Sequence, residues 1–74
     1  MPAAHHRTPR NARPTLIQEA NGVRGRYRTV RTIPAEETPI GMNWIMDIHH
    51  SASVRGVRAR VRVWIPFANR YTAV

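Results

Sequence analysis

Residues 15–33 read TLIQEANGVRGRYRTVRTI, and the way this stretch folds decides the rest of the chain. Asn21-Gly22 separates two runs of alternating character. Both residues tolerate positive φ, the combination that favours a two-residue type I′ hairpin turn. Such a turn sets the register, with Ala20 opposite Val23, Glu19 opposite Arg24 and Leu16 opposite Tyr27. One side then carries Leu16, Ala20, Val23 and Tyr27, with Gln18 as the polar exception. The other carries Glu19 with Arg24, Arg26 and Arg28.

A second stretch repeats this composition. Residues 54–66, VRGVRARVRVWIP, match residues 23–34, VRGRYRTVRTIP, at seven of twelve positions when one gap follows the glycine. The match suggests two strands in equivalent places or a duplicated ββ unit, with Gly25 and Gly56 as matched bulges or turn exits. Chance is the competing explanation, because Val and Arg dominate both segments. Within the second stretch Val57, Ala59, Val61, Val63 and Ile65 alternate with Arg58, Arg60, Arg62 and Trp64. An extended chain therefore has one apolar face and, on the other, a row of guanidinium groups ending in an indole. Pro66 stops the run.

The segment between the two is harder to read. Residues 34–41, PAEETPIG, form an acidic loop with two prolines. Over residues 42–50, Met42, Trp44, Met46 and Ile48 alternate with Asn43, Asp47 and His49, while Ile45 breaks the pattern. That alternation predicts a half-buried strand with Met42, Trp44 and Met46 in the core. The competing element is a helix over 39–50, capped by Thr38 with Pro39 at its first position, which gives a ββαβ order. The expected fold is all-β, a small antiparallel sheet arranged as a four-stranded meander or open barrel. Residues 1–14, with three prolines and little apolar bulk, are expected to be a disordered basic arm. Residues 15–68 form the single β domain and residues 69–74 a loose end.

At 74 residues the chain holds one domain. A domain this size buries only about 60% of its unfolded surface, so oligomerisation or a partner is a natural support. It has no cysteine, hence no disulfide and no thiolate zinc site. The longest apolar run is far short of a membrane span, and the N-terminal residues lack the apolar region of a secretory signal. Prolines at 2, 9 and 14 interrupt the helix that a mitochondrial transit peptide requires. A cytoplasmic location without membrane contact is the expectation.

The charge is lopsided: twelve Arg, no Lys and four acidic residues give a net +8. Such a balance favours nucleic acid or an acidic protein surface as partner. Guanidinium groups bind phosphate bidentately and stack on rings, which ammonium groups cannot do, although GC-rich codon usage also favours Arg. The leading reading is a non-enzymatic, arginine-rich protein that binds RNA or DNA. Arg24, Arg26, Arg28, Arg58, Arg60 and Arg62 would contact phosphates, with Trp64 or Tyr27 available for stacking. A basic strand face that only solvates a sheet edge is the plainer account of the same residues. From another class comes a small, phage-type interaction or inhibitor protein that docks its basic face on an acidic protein. A third is a ribonucleoprotein subunit that threads its basic tail into folded RNA.

Catalytic chemistry finds little support. The histidines come as adjacent pairs, His5-His6 and His49-His50, which on a strand point to opposite faces. Asp47 and His49 could share a strand face, but two ligands do not complete a metal site. Ser51 and Ser53 lack a glycine elbow, and Glu36-Glu37 lie in a proline-bounded loop. No enzyme activity, metal or cofactor is expected.

Overall fold

The computed structural model describes residues 10–39 and 43–74. These form β1 (Thr15–Asn21), β2 (Arg28–Ile33), a 3-10 turn (Ala35–Glu37), α1 (Asn43–Val54), β3 (Val57–Ile65), a second 3-10 turn (Pro66–Ala68) and β4 (Arg70–Ala73). The four strands make one antiparallel, open sheet in the order β2-β1-β3-β4. The sheet is not a meander. β1 lies between β2 and β3, because α1 crosses one face and returns the chain on the far side of β1.

Residues 43–54 are therefore helical where alternation predicted a strand over 42–50; Met42 lies outside the described residues. The apparent violator, Ile45, explains the outcome. Ile45 and Ala52 are buried, and Ile48 and His49 are half-buried between them. That is the i, i+3, i+4, i+7 stripe of a helix packed on a sheet. Met46, assigned to the core by alternation, is instead exposed, and Trp44 is half-buried. Twelve residues cannot hold a helix alone in water, so packing against β3 supplies the stability. Gly56, at φ +79°, ends the helix, its N–H donating to the Ser53 carbonyl at 3.0 Å. Thr38 is not a cap: its hydroxyl accepts from Thr15 Oγ1 at 3.2 Å and donates to the Pro34 carbonyl at 3.0 Å. No helix among the described residues is long and apolar enough to cross a membrane.

The type I′ turn does not form. Glu19 pairs with Arg28, four residues beyond the expected Arg24, and the register shifts at Ile17/Gln18. Residues 22–27 form a wider loop in which Gly22 takes φ +60°, and Gly25 donates its N–H to the Asn21 carbonyl at 3.0 Å. Asn21 stays at negative φ and continues β1. The repeat is nonetheless structural in one sense. Each copy runs from a glycine turn into a strand flanking β1, then through Ile-Pro into a 3-10 turn. Gly25 and Gly56 play different parts, one packed against backbone and one at a helix end. The expected loose end forms β4, because Pro66 opens a turn that Asn69 closes in the left-handed conformation at φ 53°.

The register separates two faces. Ile17 pairs with Val61 and Glu19 with Ala59 on the face that α1 covers, where Ile17, Ile45, Ala52 and Val61 form the core. His49 Nε2 donates to the Val74 backbone oxygen at 3.0 Å and ties α1 to the end of the sheet. At the other end of this face Arg55 grips Glu19 through two hydrogen bonds, at 2.6 and 3.2 Å. The Arg55 hydrogen bond holds the Glu19 carboxyl below its ordinary value of 4.5, with help from the charges of Arg55 and Arg28 and against desolvation. A depressed folded-state value means that the stabilisation is present above the unfolded value and is lost as pH falls through the folded one. Arg55 is half exposed, so the effect is small. Arg55→Gln is expected to lower the melting temperature slightly at neutral pH, with the difference from the native chain closing as the carboxylates protonate. A difference that persists in acid would assign the effect to packing.

Candidate functional site

The opposite face carries the chemistry. Leu16 pairs with Arg62, Gln18 with Arg60 and Ala20 with Arg58, which places the three arginines of β3 in one row away from the helix. Alternate residues on a strand recur at about 6.6 Å. Trp64 continues the row and pairs with Tyr71 of β4, the rings meeting edge-on at 5.2 Å and 68°. Such a pair adds about 0.5–1.5 kcal/mol beyond its buried area.

The three arginines are not equivalent. Arg58 donates from Nε to the Gly22 carbonyl at 2.6 Å and from its terminal nitrogen to the Gly25 carbonyl at 2.8 Å. Its guanidinium carbon also lies 5.1 Å from the Tyr27 ring centroid. Arg60 donates Nε to Gln18 Oε1 at 2.9 Å and sits 4.1 Å from the same ring. These contacts fold the 22–27 loop down over Ala20 and explain why the wider loop displaces the tight turn. Hydrogen bonds from a charged donor contribute about 1.5–3 kcal/mol each. Among the described residues, the Arg62 side chain makes no hydrogen bond, ion pair or ring contact. The row thus grades from structural at Arg58 to unengaged at Arg62.

The first arginine set is only partly brought to this face. Arg24 and Arg26 lie exposed on the loop, while Arg28 pairs with Glu19 and so belongs with the helix-side face. Two strands of three arginines each, as expected from the sequence, do not form. The short segment before β1 takes part instead. Asn11 Nδ2 donates to the Trp64 carbonyl at 2.9 Å, and Tyr71 donates its hydroxyl to the Pro14 carbonyl at 2.8 Å. Arg13 lies over the Trp64 ring at 4.4 Å. The part of the expected arm from Arg10 to Pro14 is therefore docked; residues 1–9 lie outside the described residues. Sequence reading missed Arg13 and Tyr71. Pro66 and Asn69 spaced as in a turn, followed by Arg70 and Thr72 alternating with Tyr71 and Ala73, were the signal for β4.

Among the described residues no Asp or Glu pairs with this row of arginines. Glu19 points to the helix side, Asp47 lies in α1, and Glu36 and Glu37 lie in the turn beyond β2. Asp47 and His49, expected to share a strand face, are two apart on a helix and diverge. The described residues hold no group of three or more metal-ligating side chains. A groove of about 570 Å³ opens between α1 and the β3–β4 end, lined by residues such as Trp44, Ile45, Val63 and Ile65. No histidine, aspartate or glutamate side chain lines it among the described residues. Comparison with known protein families, with curated proteins and with solved structures finds no match.

Proposed function

We propose that this chain is a non-enzymatic nucleic-acid-binding protein that uses the open face of its sheet. The observation carrying the proposal is a face with arginines in a row, aromatic rings at both ends and, among the described residues, no Asp or Glu paired with the row. An acidic protein surface would be met by charge alone, whereas rings layered with guanidinium groups also suit bases, which favours nucleic acid. Arg62, with Arg24 and Arg26 on the loop, supplies the freest phosphate contacts. Arg58 and Arg60 add their outward donors while holding the loop.

Affinity for mixed-sequence oligonucleotides should fall with salt. Five phosphates neutralised give a log–log slope of about −3.5 on a single strand and about −4.5 on a duplex. Replacing Arg24, Arg26 and Arg62 together by Gln should flatten that slope by about 2–3 and weaken all sequences alike, with an unchanged melting temperature. Undetectable binding at low salt, beside tight and specific capture by an acidic protein, would replace this reading with that of the inhibitor class.

A further inference from the structure

We infer that the nucleic acid this face takes is single-stranded, held as a short splayed run across two stacking stations with a phosphate on Arg62 between them. The inference rests on the nucleic-acid reading and names the form of the ligand. One station is Tyr27, layered with Arg60 at 4.1 Å and Arg58 at 5.1 Å. The other is Trp64, with Arg13 at 4.4 Å over its ring and Tyr71 against it at 5.2 Å. A guanidinium plane stacks on bases as a ring does, so Trp64 and Arg13 together form one platform. Along β3 the stations are four residues apart, Arg60 to Trp64, or about 13 Å. Arg62 stands halfway on the same face with its guanidinium unengaged among the described residues.

A duplex cannot use this layout. Its base faces are covered by their neighbours at about 3.4 Å, leaving phosphates and groove edges, against which ring platforms gain little. A groove reader would need a basic helix or ribbon to insert. Residues 43–54 of α1 contain no arginine, include Asp47, and lie on the other side of the sheet. A stacked strand would set about four bases across 13 Å, so engaging both rings requires bases turned out of the stack. Unpaired strand is the form that offers such bases.

The test is anisotropy with a labelled DNA strand of about ten nucleotides, alone and annealed to its complement, at one salt concentration. The single strand is expected to bind at least tenfold more tightly. Tyr27→Leu and Trp64→Leu should each lower single-strand affinity by about ten- to hundredfold and leave duplex affinity unchanged. Trp64→Phe should restore most of the loss, and circular dichroism melts identify any variant that fails to fold. Tyr27 lies in a loop, so its variant reports even if Trp64→Leu does not fold. Equal affinity for the two forms, or variants that weaken both alike, would overturn the single-strand inference and leave the phosphate reading standing. Binding to neither form would overturn both.

Discussion

Ile45→Ala is expected to leave a large fraction of the chain unfolded, whereas Met46→Ala one position on should be almost silent. Ile45 is 2% exposed and lies on the stripe of α1 that packs against β3. Truncating a buried isoleucine costs about 2–5 kcal/mol, from lost transfer energy and the cavity left behind. A domain of this size has only about 0.05–0.15 kcal/mol per residue in total, so the loss is a large share of its stability. Met46 is 60% exposed, and surface changes of that kind stay within about 0.5 kcal/mol. Urea titrations followed by circular dichroism measure both. The strand suggested by alternation would reverse the order, with Met46 costly and Ile45 cheap. That reversal would remove the helix and, with it, the reason the sheet has one covered face and one open one.

Gly25→Ala should cost about 3 kcal/mol, while Gly22→Ala should cost about 1–2 kcal/mol. At Gly25 an added Cβ would sit 2.1 Å from the Asn21 carbonyl oxygen and 2.8 Å from its nitrogen, backbone atoms that cannot move without breaking the turn. At Gly22 nothing lies within 4 Å, so the penalty is only that of φ +60° for a residue with a side chain. Moving the Gly25 carbonyl also removes an acceptor of Arg58 and unseats Tyr27. The Gly25 variant should therefore lose single-strand affinity as well as stability, whereas the Gly22 variant keeps its affinity. Thermal melts paired with the anisotropy assay separate the two. A tight Asn21-Gly22 turn would make Gly22 the sensitive position and Gly25 the tolerant one.

The strand carrying the site was legible in the chain, because strict alternation from Val57 to Ile65 leaves only one way to bury the valines. Burying Val61, which is fully covered, obliges Arg58, Arg60, Arg62 and Trp64 to share the other face. Net charge and the absence of cysteine were equally direct. The hairpin register and the middle element were not. Asn21-Gly22 is a local preference of about 1 kcal/mol, and it yields to the contacts of Arg58 and Arg60, which lie 33 to 42 residues away, with the loop and Gln18. Residues 43–54 satisfy a strand pattern at one end and a helix pattern throughout. Only the presence of an uncovered apolar sheet face, needing Ile45 and Ala52 at helical spacing, decides between them. Arg13 and Tyr71 join the site for the same reason: their place depends on where Trp64 stands in the assembled sheet, and neighbours in sequence carry no record of that.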